Sequence, residues 1–492
     1  MKKATNLNLL LSLLALLVIA VGMAGQSRPF MAVGFFTLGA QGAVNLFGIM
    51  QAWKERWSLC AIHGSALLAW YGVGAFIGLS WGEPWELGMS DSRDYSDLFS
   101  AALFLTLSAN AILVLAPLEH RFWSAQIRRL DLPAPPVPPL VLLALVVLWV
   151  VLVDFIVEGR IDFRSFGTES SEYLPITEVL VLQTSMALSG YFGWLLGKRR
   201  EGSTQVLTIL ALLFLPLLLL VLVGQGRRDL VVHIAAFFLI FAWSRDMRLT
   251  WKPLALFSLL AIPLLLAGSM VFQAQRLATS SYAMSWSGKT NLIERIDSAS
   301  ERFRGDWDEV LESQIESFPS RMFIIDYLKE LMGTSDKPQF GFGRASAAQA
   351  VMGVPTFLYP GKAEEAIRLG GIGEMRNPDF GLPDFSDYAN SLLTVAYMDF
   401  GWLGIPYAAL LTLLSGWLLA QLFRLARNEL FQVVALSLIL THYLTVEQNF
   451  VTTAVNVLRL AVALAPLTAL LSVSQDQPDS APVEEPGLET GR

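Results

Sequence analysis

Residues 205–229 read QVLTILALLFLPLLLLVLVGQGRRD. Twenty-two residues pass without a charge, and two arginines and an aspartate then follow at once. At the rise of about 1.5 Å per residue, such a run crosses the roughly 30 Å hydrocarbon core of a bilayer. No water is present there to bond the backbone, so the run is expected to be helical.

The same alternation extends along the chain in both directions. Apolar residues make up 54% of the sequence, and the mean hydropathy is +0.51. The charged residues cluster between apolar runs at approximately 7–25, 29–52, 57–80, 97–118, 140–157, 176–197, 205–224, 230–244, 253–273, 402–423, 430–446 and 453–473. The expected fold is therefore an all-α polytopic membrane protein of about twelve transmembrane helices with one large extracytoplasmic loop. Lys2 and Lys3 precede the first run as in a signal peptide, but that run is long and further spans follow, so a retained helix is expected.

Orientation follows from the Lys/Arg bias of short loops. Alternate connections carry Lys54 and Arg56, then Arg121, Arg128 and Arg129, then Lys198, Arg199 and Arg200, then Arg245, Arg248 and Lys252, and finally Arg424 and Arg427. All fall on the side of Lys2 and Lys3, which should be cytoplasmic, with both termini. Residues 133–139 hold five prolines and form a stiff cytoplasmic linker. The organisation expected is nine spans in 1–273, a loop domain over 274–390, a surface helix and three spans in 391–474, and a disordered acidic tail over 475–492.

A net charge of −7, with no basic stripe away from the membrane loops, excludes a nucleic-acid partner. The single cysteine, Cys60, rules out an internal disulfide. The four histidines are His63, His120, His233 and His442. None lies in the large loop and none forms a metal-binding pair. There is no nucleophile elbow and no phosphate-binding loop, so neither metal nor cofactor is expected. Asp306-Trp307-Asp308 has the spacing of a metal pair, but it also opens an amphipathic stretch, where acidic residues favour the first helical turn. In 321–332, Met322, Ile325, Leu328 and Met332 recur at helical spacing.

Two places combine polar chemistry with a membrane boundary. The first is Gln225-Gly226-Arg227-Arg228-Asp229, before a short eighth run. Two guanidinium groups drawn toward the membrane suit a diphosphate, because their planar donors match phosphate oxygens. They equally suit two arginines reaching to headgroups with Asp229 as counterion. Arg276 follows the ninth run and either joins that site or marks the boundary. The second is Asp387-Tyr388-Ala389-Asn390-Ser391, followed by Tyr397, Asp399 and a break at Gly401 and Gly404. It offers carboxylates, an amide and phenols where the chain re-enters the membrane. Helix capping by Ser386 or Asp387 beside an aromatic belt is the alternative. Residues 387–399 read as a short helix on the outer surface.

Together, Gly224–Asp229, the large loop, and the stretches 388–393 and 399–404 make the chain resemble the O-antigen polymerase (Wzy-type) family, also called oligosaccharide repeat-unit polymerases. The resemblance runs from about the sixth span to the last. The related O-antigen ligases usually carry a functional histidine near the position of Tyr388–Asn390, and this loop has none, which favours polymerase. The resemblance implies a metal-independent glycosyltransferase of GT-C-like fold in a bacterial inner membrane. It would join polyprenyl-diphosphate-linked oligosaccharides, on undecaprenyl diphosphate, into O-antigen or exopolysaccharide chains at the periplasmic face. Partners implied are those lipid-linked oligosaccharides, the bilayer, a chain-length regulator and a flippase. Arg227, Arg228 and Arg276 would hold the leaving diphosphate. Asp387 and Asp399 are candidates for the base, beside Glu374 and Asp384. Tyr388, Asn390 and Tyr397 would contact substrate, and Trp307, Phe340, Phe342 and Tyr359 would stack on sugars or pack. A ligase-type transferase and a polysaccharide transporter or flippase are the other classes. Transporters favour repeat symmetry and midplane sites, and the sequence shows no repeat.

Overall fold

The computed structural model describes residues 2–51, 57–83, 91–130, 227–244, 307–333, 339–354, 359–369 and 391–425. It also describes positions 87, 89, 189–190, 192–194, 196–197, 270, 297, 300–301, 304–305, 379–380, 382, 436 and 443–444. Among these residues every regular element is helical. In chain order they are α1 (Lys2–Ala24), α2 (Arg28–Gln51), α3 (Leu59–Trp81), α4 (Ser92–Leu130), α5 (Arg227–Ser244), α6 (Trp307–Met322), α7 (Asp326–Gly333), α8 (Arg344–Gly353), α9 (Lys362–Arg368), α10 (Leu392–Phe400) and α11 (Gly404–Leu425).

Among the described residues, five stretches are long and apolar enough to cross a membrane: Leu7–Ala24, Arg28–Gln51, Leu59–Trp81, Ser92–Trp123 and Leu392–Gln421. The chain is thus a multi-pass helical membrane protein. The first three match the expected runs within a few residues, the fourth extends further at both ends, and the last begins ten residues before the expected 402. The eighth run lies inside α5, which starts at Arg227 and not after Asp229. The runs at 140–157, 205–224 and 453–473, the proline linker and the acidic tail lie outside the described residues. Those at 176–197, 253–273 and 430–446 are described at a few helical positions only.

Helices α1 to α4 and α11 form one bundle. Small residues bring α2 and α3 together: a Cβ on Gly39 would lie 2.8 Å from the backbone nitrogen of Val73. Close backbone approach of this kind supplies the dispersion that drives helix association in lipid. Ser12 on α1 ties three helices, accepting from Gln41 Nε2 at 3.0 Å and from Asn110 Nδ2 at 2.9 Å. At the Leu59 end, the fully buried Glu119 accepts from Ser58 Oγ and Cys60 N, each at 2.6 Å, and from Trp123 Nε1 at 3.0 Å. At the opposite end Arg28 donates to the carbonyls of Leu79 and Gly82, satisfying the C-terminus of α3. Leu10, Leu13, Leu17, Phe36, Leu410 and Leu414 face outward and exposed. An apolar band of that kind is unfavourable in water and fits hydrocarbon.

The loop helices dock on the Trp81/Ser92 end. After α6 the chain turns into α3: Phe323 packs on Gly78, and the carbonyl of Met322 faces Gly74. Helix α7 then buries Tyr327, Leu328 and Leu331 against the bundle. The helical spacing expected over 321–332 is present, but a turn at 323–325 splits it between α6 and α7.

Helix α10 corrects one expectation. It is not a surface helix: every residue from Ser391 to Asp399 is buried. Its N-terminus meets α3 through Tyr71, ten residues or about 15 Å before the Trp81 end. Tyr397 meets α4 through Phe104, twelve residues or about 18 Å beyond Ser92. A helix apolar all round belongs inside a bundle, and α10 has a single charge.

Candidate functional site

The motif that ends in α10 is held at three points. At its start Ser391 and Thr394 form a capping box: Thr394 Oγ1 accepts from Ser391 N at 2.9 Å, and Ser391 Oγ accepts from Leu393 N and Thr394 N. Tyr71 Oη donates to the same Ser391 Oγ at 2.7 Å. In the middle, the Tyr397 ring stands edge-on to Phe104 and Phe340, with centroids 5.5 and 6.0 Å away, and beside Phe380.

At its end Asp399 has no exposed surface. Its Oδ1 accepts from Ala345 N at 2.9 Å, and its Oδ2 accepts from Ser346 N at 3.0 Å and Ser346 Oγ at 2.8 Å. These donors are the first turn of α8, where an anion complements the free N–H groups and the helix dipole. The backbone adds two bonds, from Gly341 N to Met398 O and from Phe342 N to Asp399 O. Ser346 Oγ also accepts from Tyr407 Oη at 2.6 Å, so α8, α10 and α11 meet at one polar node. The chain then turns at Gly401, whose φ of +57° favours glycine. A Cβ there would also lie 2.7 Å from the Phe340 ring.

Beside this node α7 is tied to α4 and to the residue Leu87 before it by polar contacts. Lys329, only 1% exposed, donates to Leu87 O at 2.7 Å and contacts Asp326 at 2.8 Å and Glu330 at 3.1 Å. Burial works against its ammonium, yet the two carboxylates outweigh it and hold its pKa above the usual lysine range. Burial also pushes the Asp326 carboxyl up, against the pull of Lys329. Arg93 on α4 donates to Gly333 O, and Asp97 lies against Gly333.

Of the residues expected in the site, Tyr397 and Asp399 both lie on α10 but have separate partners, Tyr397 among the aromatic rings and Asp399 at the start of α8. Arg227 and Arg228 occupy the first turn of α5. That helix packs its middle on the segment at 192–197, where a Cβ on Gly193 would meet the backbone of Phe237. Arg276, Glu374, Asp384, Asp387, Tyr388 and Asn390 lie outside the described residues. Among the aromatics, Phe340 packs in the Tyr397 cluster, while Trp307, Tyr359 and Phe342 are 44%, 37% and 81% exposed. Helix α6 opens at Trp307 with Asp308 and Glu309 in its first turn, as a helix start requires.

Sequence reasoning missed Tyr71, Lys329 and the α8 donors to Asp399. The only signal for Lys329 was a lone cation on the apolar face of a short helix. Compared with protein-family models, with curated proteins and with solved structures, the chain shows no significant match.

Proposed function

We propose that the protein is a lipid-linked oligosaccharide polymerase of a bacterial inner membrane, with both termini in the cytoplasm and the helices α6–α9 on the periplasmic side. The observation that carries this reading is the seating of α10. Part of the sequence on which the resemblance rests runs through α10, which is buried in the bundle and tied by Ser391 to α3 and by Asp399 to α8.

In the proposed reaction a hydroxyl oxygen of the acceptor unit attacks the anomeric carbon of the donor unit. The bond from that carbon to the diphosphate oxygen breaks, and the polyprenyl diphosphate leaves with its electron pair. The hydroxyl proton passes to a carboxylate, for which Asp387 is proposed. Asp399 is given a positioning role, since both of its oxygens already accept bonds from α8. Arg227 and Arg228, with Arg276, receive the diphosphate. The start of α5 favours this, because first-turn N–H groups and two cationic residues share one helix end.

Deletion of the gene tests the reading on glycan gels. Cells should carry single repeat units and no long chains. Long polymer left unattached to its final carrier would assign the protein to ligation.

A further inference from the structure

We propose that the turn Phe342-Gly343-Arg344 is a membrane-interface anchor, with the Phe342 ring seated among phospholipid chains beside the first turns of α11. Phe342 has φ +48°, a left-handed conformation that a bulky aromatic rarely adopts. The surroundings hold it there. Gly341 and Phe342 donate to the carbonyls of Met398 and Asp399, and Arg344 N donates to Gly341 O. The next two residues are bound by the Asp399 carboxylate. Strained backbone that is held from both sides marks a side chain placed for contact with something else.

Within the chain that side chain meets little. Phe342 is 81% exposed, whereas Phe340 and Phe380 pack around Tyr397, and Phe400 lies tilted against Tyr407 with centroids 4.5 Å apart. The position of the turn identifies the occupant. Phe342 is bonded to the residue that ends α10, and Gly343 lies against the Phe400 ring. Ser346, four residues on, receives Tyr407 from the first turn of α11. The turn therefore runs along residues 399–407, inside the membrane-crossing stretch Leu392–Gln421. Trp402, Leu403 and Leu410 of that stretch are 46%, 72% and 61% exposed, which marks the lipid-facing side of α11. An exposed aromatic beside an exposed arginine at that level matches the boundary layer, with the ring toward the chains and the guanidinium toward the headgroups. The inference needs only the membrane bundle and not the polymerase reading. It also removes Phe342 from the aromatics expected to stack on sugars.

The full chain in nanodiscs of phosphatidylcholine and phosphatidylglycerol provides the test. Cys60 is the sole cysteine and is buried, so a nitroxide attaches selectively to Phe342→Cys. Leu410→Cys serves as the lipid reference and Glu364→Cys, on exposed α9, as the aqueous one. Collision rates with oxygen and with a water-soluble nickel chelate then report the environment. At position 342 oxygen should exceed the chelate severalfold, as at Leu410. A label that follows Glu364, or one shielded from both reagents, overturns the proposal. The first would leave the ring free for a soluble sugar, and the second would place it under protein. If Phe342→Cys fails to fold, Arg344→Cys decides instead: comparable access to both reagents supports the anchor, and access dominated by the chelate refutes it.

Discussion

Replacing Asp399 by alanine separates an anchor from a base. The substitution removes the acceptor of two buried N–H groups and one buried hydroxyl, at 2.9, 3.0 and 2.8 Å. Leaving such donors unpaired costs about 1–3 kcal/mol each, so the site should lose about 3–5 kcal/mol once relaxation is allowed for. At about 1.4 kcal/mol per factor of ten, undocking of α8 becomes roughly two to three and a half powers of ten more frequent. Asparagine keeps one acceptor oxygen and should lie between. The assay is limited proteolysis across 339–353 in nanodiscs, with the apparent melting temperature in detergent alongside. Wild type should resist cleavage, Asp399→Ala should be cut readily with a lowered melting temperature, and Asp399→Asn should be intermediate. Unchanged resistance and melting in an Asp399→Ala variant that makes no polymer would refute the anchor and return Asp399 to the chemistry.

Three further outcomes are expected. On the proposed polymerase reading, Arg227→Ala or Arg228→Ala would remove a charge-assisted contact to the diphosphate of about 1.5–3 kcal/mol, so chain formation should slow roughly ten- to hundredfold, with lysine restoring only part of it. Full activity in the double alanine variant would reduce the pair to interfacial anchors. Glu119→Leu strands Ser58, Cys60 N and Trp123 without their acceptor, so detergent melting should fall by the equivalent of about 2–4 kcal/mol, and less in Glu119→Gln. The raised pKa of Lys329 means that its stabilisation is complete below about pH 10.4 and fades as pH climbs through the higher folded value. Protease resistance of α7 should therefore decline above that pH in wild type, while Lys329→Met should start lower at pH 8 and stay level.

Much of the bundle was legible because a membrane crossing leaves a local mark. Residues 7–24, 28–51 and 59–81 are apolar runs whose ends coincide with charges, caps or glycines, and bilayer thickness sets their length. The site was legible only in part, because its contacts join distant positions. Ser391 and Tyr71 are 320 residues apart, and Asp399 and its α8 donors 53 to 54. No periodicity carries such a pairing. A lone carboxylate at a membrane re-entry, with few partners nearby in sequence, points to chemistry, whereas the fold pairs Asp399 with two backbone N–H groups and the Ser346 hydroxyl. The burial of α10 was within reach: Leu392–Phe400 has no polar face, and the surface reading gave more weight to the Gly401 break than to that composition. Lys329 was out of reach, since lysine is among the residues least often buried and only the folded cluster shows its two carboxylates.

The most direct test of the central claim uses the purified chain in nanodiscs with polyprenyl-diphosphate-linked repeat units as the only glycan. A ladder of chain lengths is expected, with one polyprenyl diphosphate released for each unit added. Single units that persist unchanged, or that cross the bilayer without a new glycosidic bond, would contradict it.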